Sequence, residues 1–131
     1  MVMDIEDFVG QFLAGTQTTL QVASISLLLG IFLGLTGALA KLCGIRALRF
    51  AAESYTTAIR GVPELLIILI LYFGGTAGLS FLSGRYVEVD ALTAGVFALT
   101  IIFGAYATEV FRSSYLAIPL GQIEAASALG F

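Results

Sequence analysis

Charge is absent from three long stretches of the chain, and those stretches set its expected architecture. Residues 8–40 carry no acid or base, and their most apolar part is 19–40. Residues 65–84 follow, led by the run Leu65-Leu66-Ile67-Ile68-Leu69-Ile70-Leu71-Tyr72, and residues 91–108 form the third stretch. A bilayer-spanning helix needs about 17–25 mostly apolar residues, and each stretch meets that length. The pattern predicts helices over about 12–41, 50–82 and 91–118, then a polar tail over 119–131. The first stretch is not expected to be a cleaved signal peptide. Acids precede it (Asp4, Glu6, Asp7) where bases would be needed, and its apolar part is too long.

Small residues mark a packing face. Ser26, Gly30, Gly34 and Ala38 recur every four residues in the first span, and Gly74 and Gly78 repeat the spacing in the second. Such a stripe lets two helix backbones approach closely in lipid. The second span opens with Arg60-Gly61-Val62-Pro63-Glu64. Proline lacks an N–H and fits the first turn of a helix, and the residue before it is pushed away from helical angles. Either a helix starts at Pro63, or a longer one from about Phe50 kinks there. Glu64 then lies near the positive end of a helix dipole, and Arg60 snorkels to the interface.

Composition supports the membrane. Apolar residues make up 59% and charged residues 11%, with a mean hydropathy of +1.02. Soluble domains carry about 25% charged residues. The single Cys43 allows no internal disulfide. With no histidine, His-based metal sites and Ser-His or Cys-His catalysis are excluded within the chain. No phosphate-binding loop of the Gly-x-x-x-x-Gly-Lys-Ser/Thr kind is present, so ATP hydrolysis would have to come from a partner. No cofactor or metal is expected, and the net charge of -3 argues against nucleic acid. Lys41, Arg46, Arg49 and Arg60 lie between the first two spans, and Arg112 follows the third; only Arg85 lies between the second and third. This bias predicts a cytoplasmic C-terminus and an outside N-terminus.

Glu109 is the one acid embedded in an apolar span. In a helix over 91–118 it would lie about 7 Å from the midpoint at 1.5 Å per residue. An ionisable group there is costly unless it faces protein or a water-filled cavity. Two readings follow. Arg112, three residues on, pairs with it along the helix, or the carboxylate faces a substrate path that Tyr106 also lines.

The tail has a motif of its own. Pro119 and Gly121 break the third helix, residues 122–129 favour a short helix, and Gly130 suits the position after its end. With no Lys or Arg after Arg112, the tail is poorly suited to lying on anionic lipid. Glu124-Ala125-Ala126, followed after three residues by Gly130, resembles the EAA motif. Permease subunits of bacterial ABC importers use that motif to dock their ATPase. Arg60-Gly61-x-Pro63 ahead of an apolar helix is similar to the polar amino acid branch of these permeases. So is the order Tyr106, Glu109, Arg112, Pro119, Gly121-Gln122, Glu124-Ala125-Ala126, which is nearest the histidine/lysine/arginine/ornithine and opine types. The resemblance runs from about Thr16 to Phe131.

The resemblance implies an all-α membrane protein: three transmembrane helices of a type I ABC importer (MetI-like) transmembrane domain. Residues 1–131 would be a truncated N-terminal part of that domain, since such permeases continue with more loop and at least two further spans. Its implied function is import of polar amino acids, with basic ones (histidine, lysine, arginine, ornithine or opines) the expected class. The implied site is ATPase coupling through Gly121, Glu124, Ala125, Ala126 and Gly130. A substrate pathway would involve Tyr106 and Glu109, with Arg60, Gly61, Pro63 and Arg112 as structural motif. Implied partners are ABC ATPase subunits, a second permease subunit, a periplasmic or lipid-anchored solute-binding protein, and lipid of a bacterial inner membrane. The chain itself would not be an enzyme. An alternative reading is a non-transporting membrane scaffold or assembly fragment.

Overall fold

The computed structural model describes residues 5–130, with only the backbone of residues 5–7. Asp4 and Phe131 lie outside the described residues, as do the side chains of Glu6 and Asp7. The described residues form α1 (Ile5–Leu42), α2 (Arg46–Arg60), α3 (Glu64–Ser83), α4 (Ala91–Leu116) and α5 (Leu120–Ala128). Three segments are long and apolar enough to cross a membrane: Phe8–Leu42, Glu64–Ser83 and Ala91–Leu116.

A single second helix over 50–82 does not form. The backbone breaks at Gly61-Val62-Pro63 and leaves two helices, α2 and α3. Pro63 has no N–H for the carbonyl of Ile59, and its ring would collide with that carbonyl. Instead Gly61 closes α2 by donating its N–H to Thr57 O at 3.0 Å. Pro63 then takes extended angles (φ -55°, ψ 132°), and α3 starts at Glu64. The other boundaries shift less. α1 begins before residue 12, and α4 stops at Leu116, two residues short of 118.

Local chemistry sets the remaining ends. Asp90 caps α4 by accepting from Thr93 N at 3.1 Å, a typical N-cap contact. Gly84 ends α3 in the left-handed region (φ 66°), where a Cβ would be strained. The strand-like connection into α4 lies back on α3. Val87 N donates to Ser80 Oγ at 2.9 Å and Val89 N to Thr76 Oγ1 at 3.2 Å. Non-helical backbone here therefore finds partners on the neighbouring helix.

The principal contact is between α1 and α4, which run parallel. Matched positions rise together along both helices: Ser26 with Val96, Gly30 with Phe103, Gly34 with Ala107, Gly37 with Thr108. Lipid provides no hydrophobic drive for helix association, so close van der Waals contact must supply it. The first-span stripe does so: Ser26, Gly30, Gly34 and Ala38 are all buried. A Cβ added at Gly34 would lie 2.5 Å from Ala107 Cβ, so only glycine fits there. On the facing side Gly104 admits Leu33. Gly74 and Gly78 differ: a Cβ at either would meet nothing within 4 Å among the described residues.

α2 is a helix of another kind. Arg46, Arg49 and Glu53 on it are exposed, while Ala52 and Thr56 are buried. It packs on both α1 and α4. Tyr55 Oη donates to the carbonyl of Ile101 at 2.6 Å and fixes α2 across the middle of α4.

Two substitutions test this packing. Gly34→Leu should lower the melting temperature of the detergent-purified protein, since overpacking costs about 1–3 kcal/mol or more. Gly78→Ala should leave it unchanged or raise it, because alanine is the better helix former. A Gly34→Leu protein that melts with the parent would contradict the α1–α4 contact.

Candidate functional site

Glu109 pairs with Lys41, not with Arg112. Lys41 stands in the last turn of α1 and forms an ion pair with Glu109 Oε1, the one ion pair found among the described residues. The side chains are 5% and 25% exposed, respectively, so both charges are largely inside the protein. Thr56 on α2 completes the cluster. Lys41 Nζ donates to Thr56 Oγ1 at 2.7 Å, and Thr56 Oγ1 lies 3.0 Å from Glu109 Oε1. The hydroxyl has one hydrogen, and a carboxylate is a stronger acceptor than the Glu53 carbonyl at 3.2 Å. Three helices thus meet at one carboxylate.

The expected Arg112 partnership fails for a physical reason. A buried lysine needs a counter-charge far more than a half-exposed arginine does, because leaving it unpaired is strongly destabilising. α4 turns the face of Thr108 and Glu109 towards α1, where Lys41 waits one turn beyond Gly37. One signal in the sequence pointed to this: Lys41 extends the small-residue face of the first span.

Tyr106 lies elsewhere. Its ring is exposed and lines a cavity of about 320 Å³ with Ser26, Leu27, Phe103 and Glu64. Glu109 does not line this cavity. Glu64, unassigned from sequence beyond its place at a helix start, is the acid that the cavity holds. The Arg60 guanidinium stands over the Tyr106 ring at 5.6 Å from the centroid, a cation–π distance. Arg60 is otherwise exposed. Gly61 and Pro63 form the break between α2 and α3 already described.

Pro119 starts α5 as its N-cap. Gly121, Glu124, Ala125 and Ala126 lie on this short helix, with Gly121 inside it rather than ahead of it. Gly130 follows in the left-handed region (φ 85°), where glycine is favoured. No α5 residue is buried, and Leu120, Ile123 and Leu129 expose 75%, 51% and 79% of their surface. Large apolar side chains are likewise exposed on the other helices.

This arrangement of helices is similar to part of a solved amino acid ABC transporter. A crystal structure of an amino acid ABC transporter with histidines superposes with a TM-score of 0.78 at 34% identity, covering 100% of this chain and 59% of that one. Among curated proteins, the histidine/lysine/arginine/ornithine transport system permease HisQ of Salmonella typhimurium is 41% identical over 128 residues, 95% of this chain and 56% of HisQ. The nopaline permease NocQ of Agrobacterium fabrum is 43% identical over 122 residues, 88% of this chain and 52% of NocQ. The arginine permease ArtQ of Haemophilus influenzae is 40% identical over 127 residues, 95% and 55%. The chain resembles amino acid and opine ABC permeases along nearly all its length, and it spans about half the length of these relatives. No family model matches it.

The ion pair makes a sharp prediction. Lys41→Met leaves Glu109 without its partner and should cost on the order of 3–5 kcal/mol. Lys41→Met with Glu109→Leu removes both charges and should recover much of that loss. Arg112→Ala should be near neutral. Thermal unfolding of the four purified proteins checks this, and equal losses in Arg112→Ala and Lys41→Met would contradict the pairing.

Proposed function

We propose that this chain is the N-terminal part of a permease subunit in an ABC importer for polar amino acids, with basic ones the expected class. The observation that carries the proposal is identity of about two residues in five, along almost the whole chain, to permeases named for histidine, lysine, arginine, ornithine, nopaline and octopine. On this reading the chain hydrolyses nothing itself. α5 docks into a separate ATPase subunit, with Glu124, Ala125, Ala126 and the turn at Gly130 forming the contact. A second permease subunit and a solute-binding protein would complete the assembly in a bacterial inner membrane.

Orientation belongs to the same proposal. α1 and α4 run parallel, so Lys41, Arg46, Arg49 and Arg112 gather at one end of the bundle. Arg85 stands at the other. The positive-inside tendency places the first end, with α5, in the cytoplasm. Reporter fusions at residues 86 and 125 should then lie on opposite sides of the membrane; the same side for both would sink the topology.

Coupling is tested in a chimaera. Residues 1–131 replace the corresponding part of Salmonella HisQ, with the rest of that transport system present. The parent chimaera should import amino acids. Glu124→Lys, or Gly130→Leu, should abolish uptake while the protein still inserts in the membrane. Full uptake in both variants would show that α5 is not the docking helix, and a parent chimaera that inserts but imports nothing would overturn the permease reading.

A further inference from the structure

We propose that α2 binds an anionic phospholipid lengthwise. Arg46 and Arg49 hold its phosphate, and a cavity between α2, α3 and α4 takes the end of one acyl chain. The site needs only the membrane spans; its place in the cytoplasmic leaflet rests on the proposed orientation.

The charged end lies where α2 begins. Arg46 and Arg49 are three residues apart, neighbours on the helix surface that can act on one group. Both are exposed, and neither forms an ion pair among the described residues. Glu53, one turn beyond Arg49, is also exposed and makes no ion pair with it. No acid stands in the first turn of α2. Lys41 is matched by Glu109, but the charge of these two arginines is left without a partner in the chain. A guanidinium fork suits phosphate oxygens, and basic side chains at a membrane surface attract anionic lipid.

The apolar end is a separate observation. A cavity of about 270 Å³ lies between the three helices and is lined only by apolar side chains. Ala58, Ile59 and Val62 supply the α2 side, Ile67 and Ile70 the α3 side, and Ile101 the α4 side. The volume is below the roughly 300–1,000 Å³ usual for a whole small ligand, and no polar side chain is present to orient one. The end of an acyl chain needs neither.

Length joins the two ends. Arg46 and Arg49 lie about 18 and 14 Å from Ala58 along the helix, at 1.5 Å per residue. One leaflet of the hydrocarbon core is about 15 Å deep, half of the roughly 30 Å whole. A lipid with its phosphate at the arginines therefore reaches the cavity with its tail. Ala47, Ala51, Ser54 and Ala58 recur on one exposed face of α2, so no large side chain obstructs that path. Free phosphate would occupy only the first end, and an uncharged apolar ligand only the second. A phospholipid occupies both, and two unmatched arginines select a head group with net negative charge.

The test is native mass spectrometry of the purified 131-residue chain in detergent. Phosphatidylglycerol and phosphatidylcholine with the same palmitoyl and oleoyl chains are added in turn. The parent should bind the anionic lipid about thirtyfold more tightly, the combined effect of two arginines near an anionic surface. Arg46→Gln with Arg49→Gln should remove most of that preference. Arg46→Lys with Arg49→Lys should keep most of it, which separates charge from folding. Ala58→Leu narrows the cavity and should weaken binding of both lipids alike. Excess glycerol 3-phosphate should displace neither. Equal binding of the two lipids by the parent, or a full preference in the double Gln variant, would overturn the site. Displacement by glycerol 3-phosphate would make it a site for free phosphate and overturn the lipid. Unchanged lipid binding in Ala58→Leu would overturn the seat for the acyl chain. The same measurement on the HisQ chimaera tests the other occupant. Loss of the preference there would mean that the remaining HisQ helices cover α2, and would overturn the lipid as its partner. None of these outcomes bears on the permease reading.

Discussion

The contact between α1 and α4 has to be close before anything else in this structure can stand. Two parallel helices in lipid gain little from burying apolar side chains, because the solvent they leave is as apolar as they are. The gain comes from near-backbone approach at Gly30, Gly34, Gly37 and Gly104. That approach ends in an ion pair. Lys41 closes the α1 stripe and meets Glu109, and Thr56 brings α2 into the same cluster. Steric fit and charge therefore specify one register. A slip along the helices would press Phe103 or Ala107 against larger side chains and strand a buried lysine at the same time.

Parallel helices also impose a topological demand. The chain must return across the bundle between them, and here it does so in two pieces. α2 climbs from the end of α1 with Arg46, Arg49 and Glu53 outward, and α3 completes the return as an apolar span. Pro63 divides the two pieces at the depth where α4 presents Tyr106. α5 leaves the bundle at Pro119 with its apolar side chains uncovered, at the same end as the Lys41 cluster. α5 follows α4, the helix that carries Glu109 and Tyr106, after the connection at 117–119.

Much of this was legible in the sequence. The three spans follow from runs without charge, and the first-span stripe from its four-residue period. The short tail helix and its terminal Gly130 follow from helix propensity and capping. What could not be read were interactions between distant residues. Arg112 lies at the right spacing for Glu109, and nothing local shows that Lys41, far away in the chain, is buried against the same carboxylate. Pro63 signalled a break or a kink, and only packing of Tyr55 and Thr56 on α4 decides that α2 is a separate helix. Gly74 and Gly78 have the same spacing as the first stripe and pack on nothing among the described residues. The spacing states that a close approach is possible, not that a partner is there. Glu64 was read as a helix start, and its place beside Tyr106 depends on how α3 leans on α4.

The pairing of Lys41 with Glu109 admits a direct measurement, because Lys41 is the only lysine in the chain. Solid-state NMR of the protein in lipid, with 15Nζ-lysine and 13Cδ-glutamate labels, reports which carboxyl group lies beside that single nitrogen. The account predicts a strong dipolar coupling from Lys41 Nζ to one glutamate carboxyl carbon, at the separation of an ion pair within about 4 Å. The coupling should vanish in Glu109→Gln and persist in Arg112→Ala. Absence of the coupling in the parent, or its survival in Glu109→Gln, would contradict the arrangement on which the rest of the fold is built.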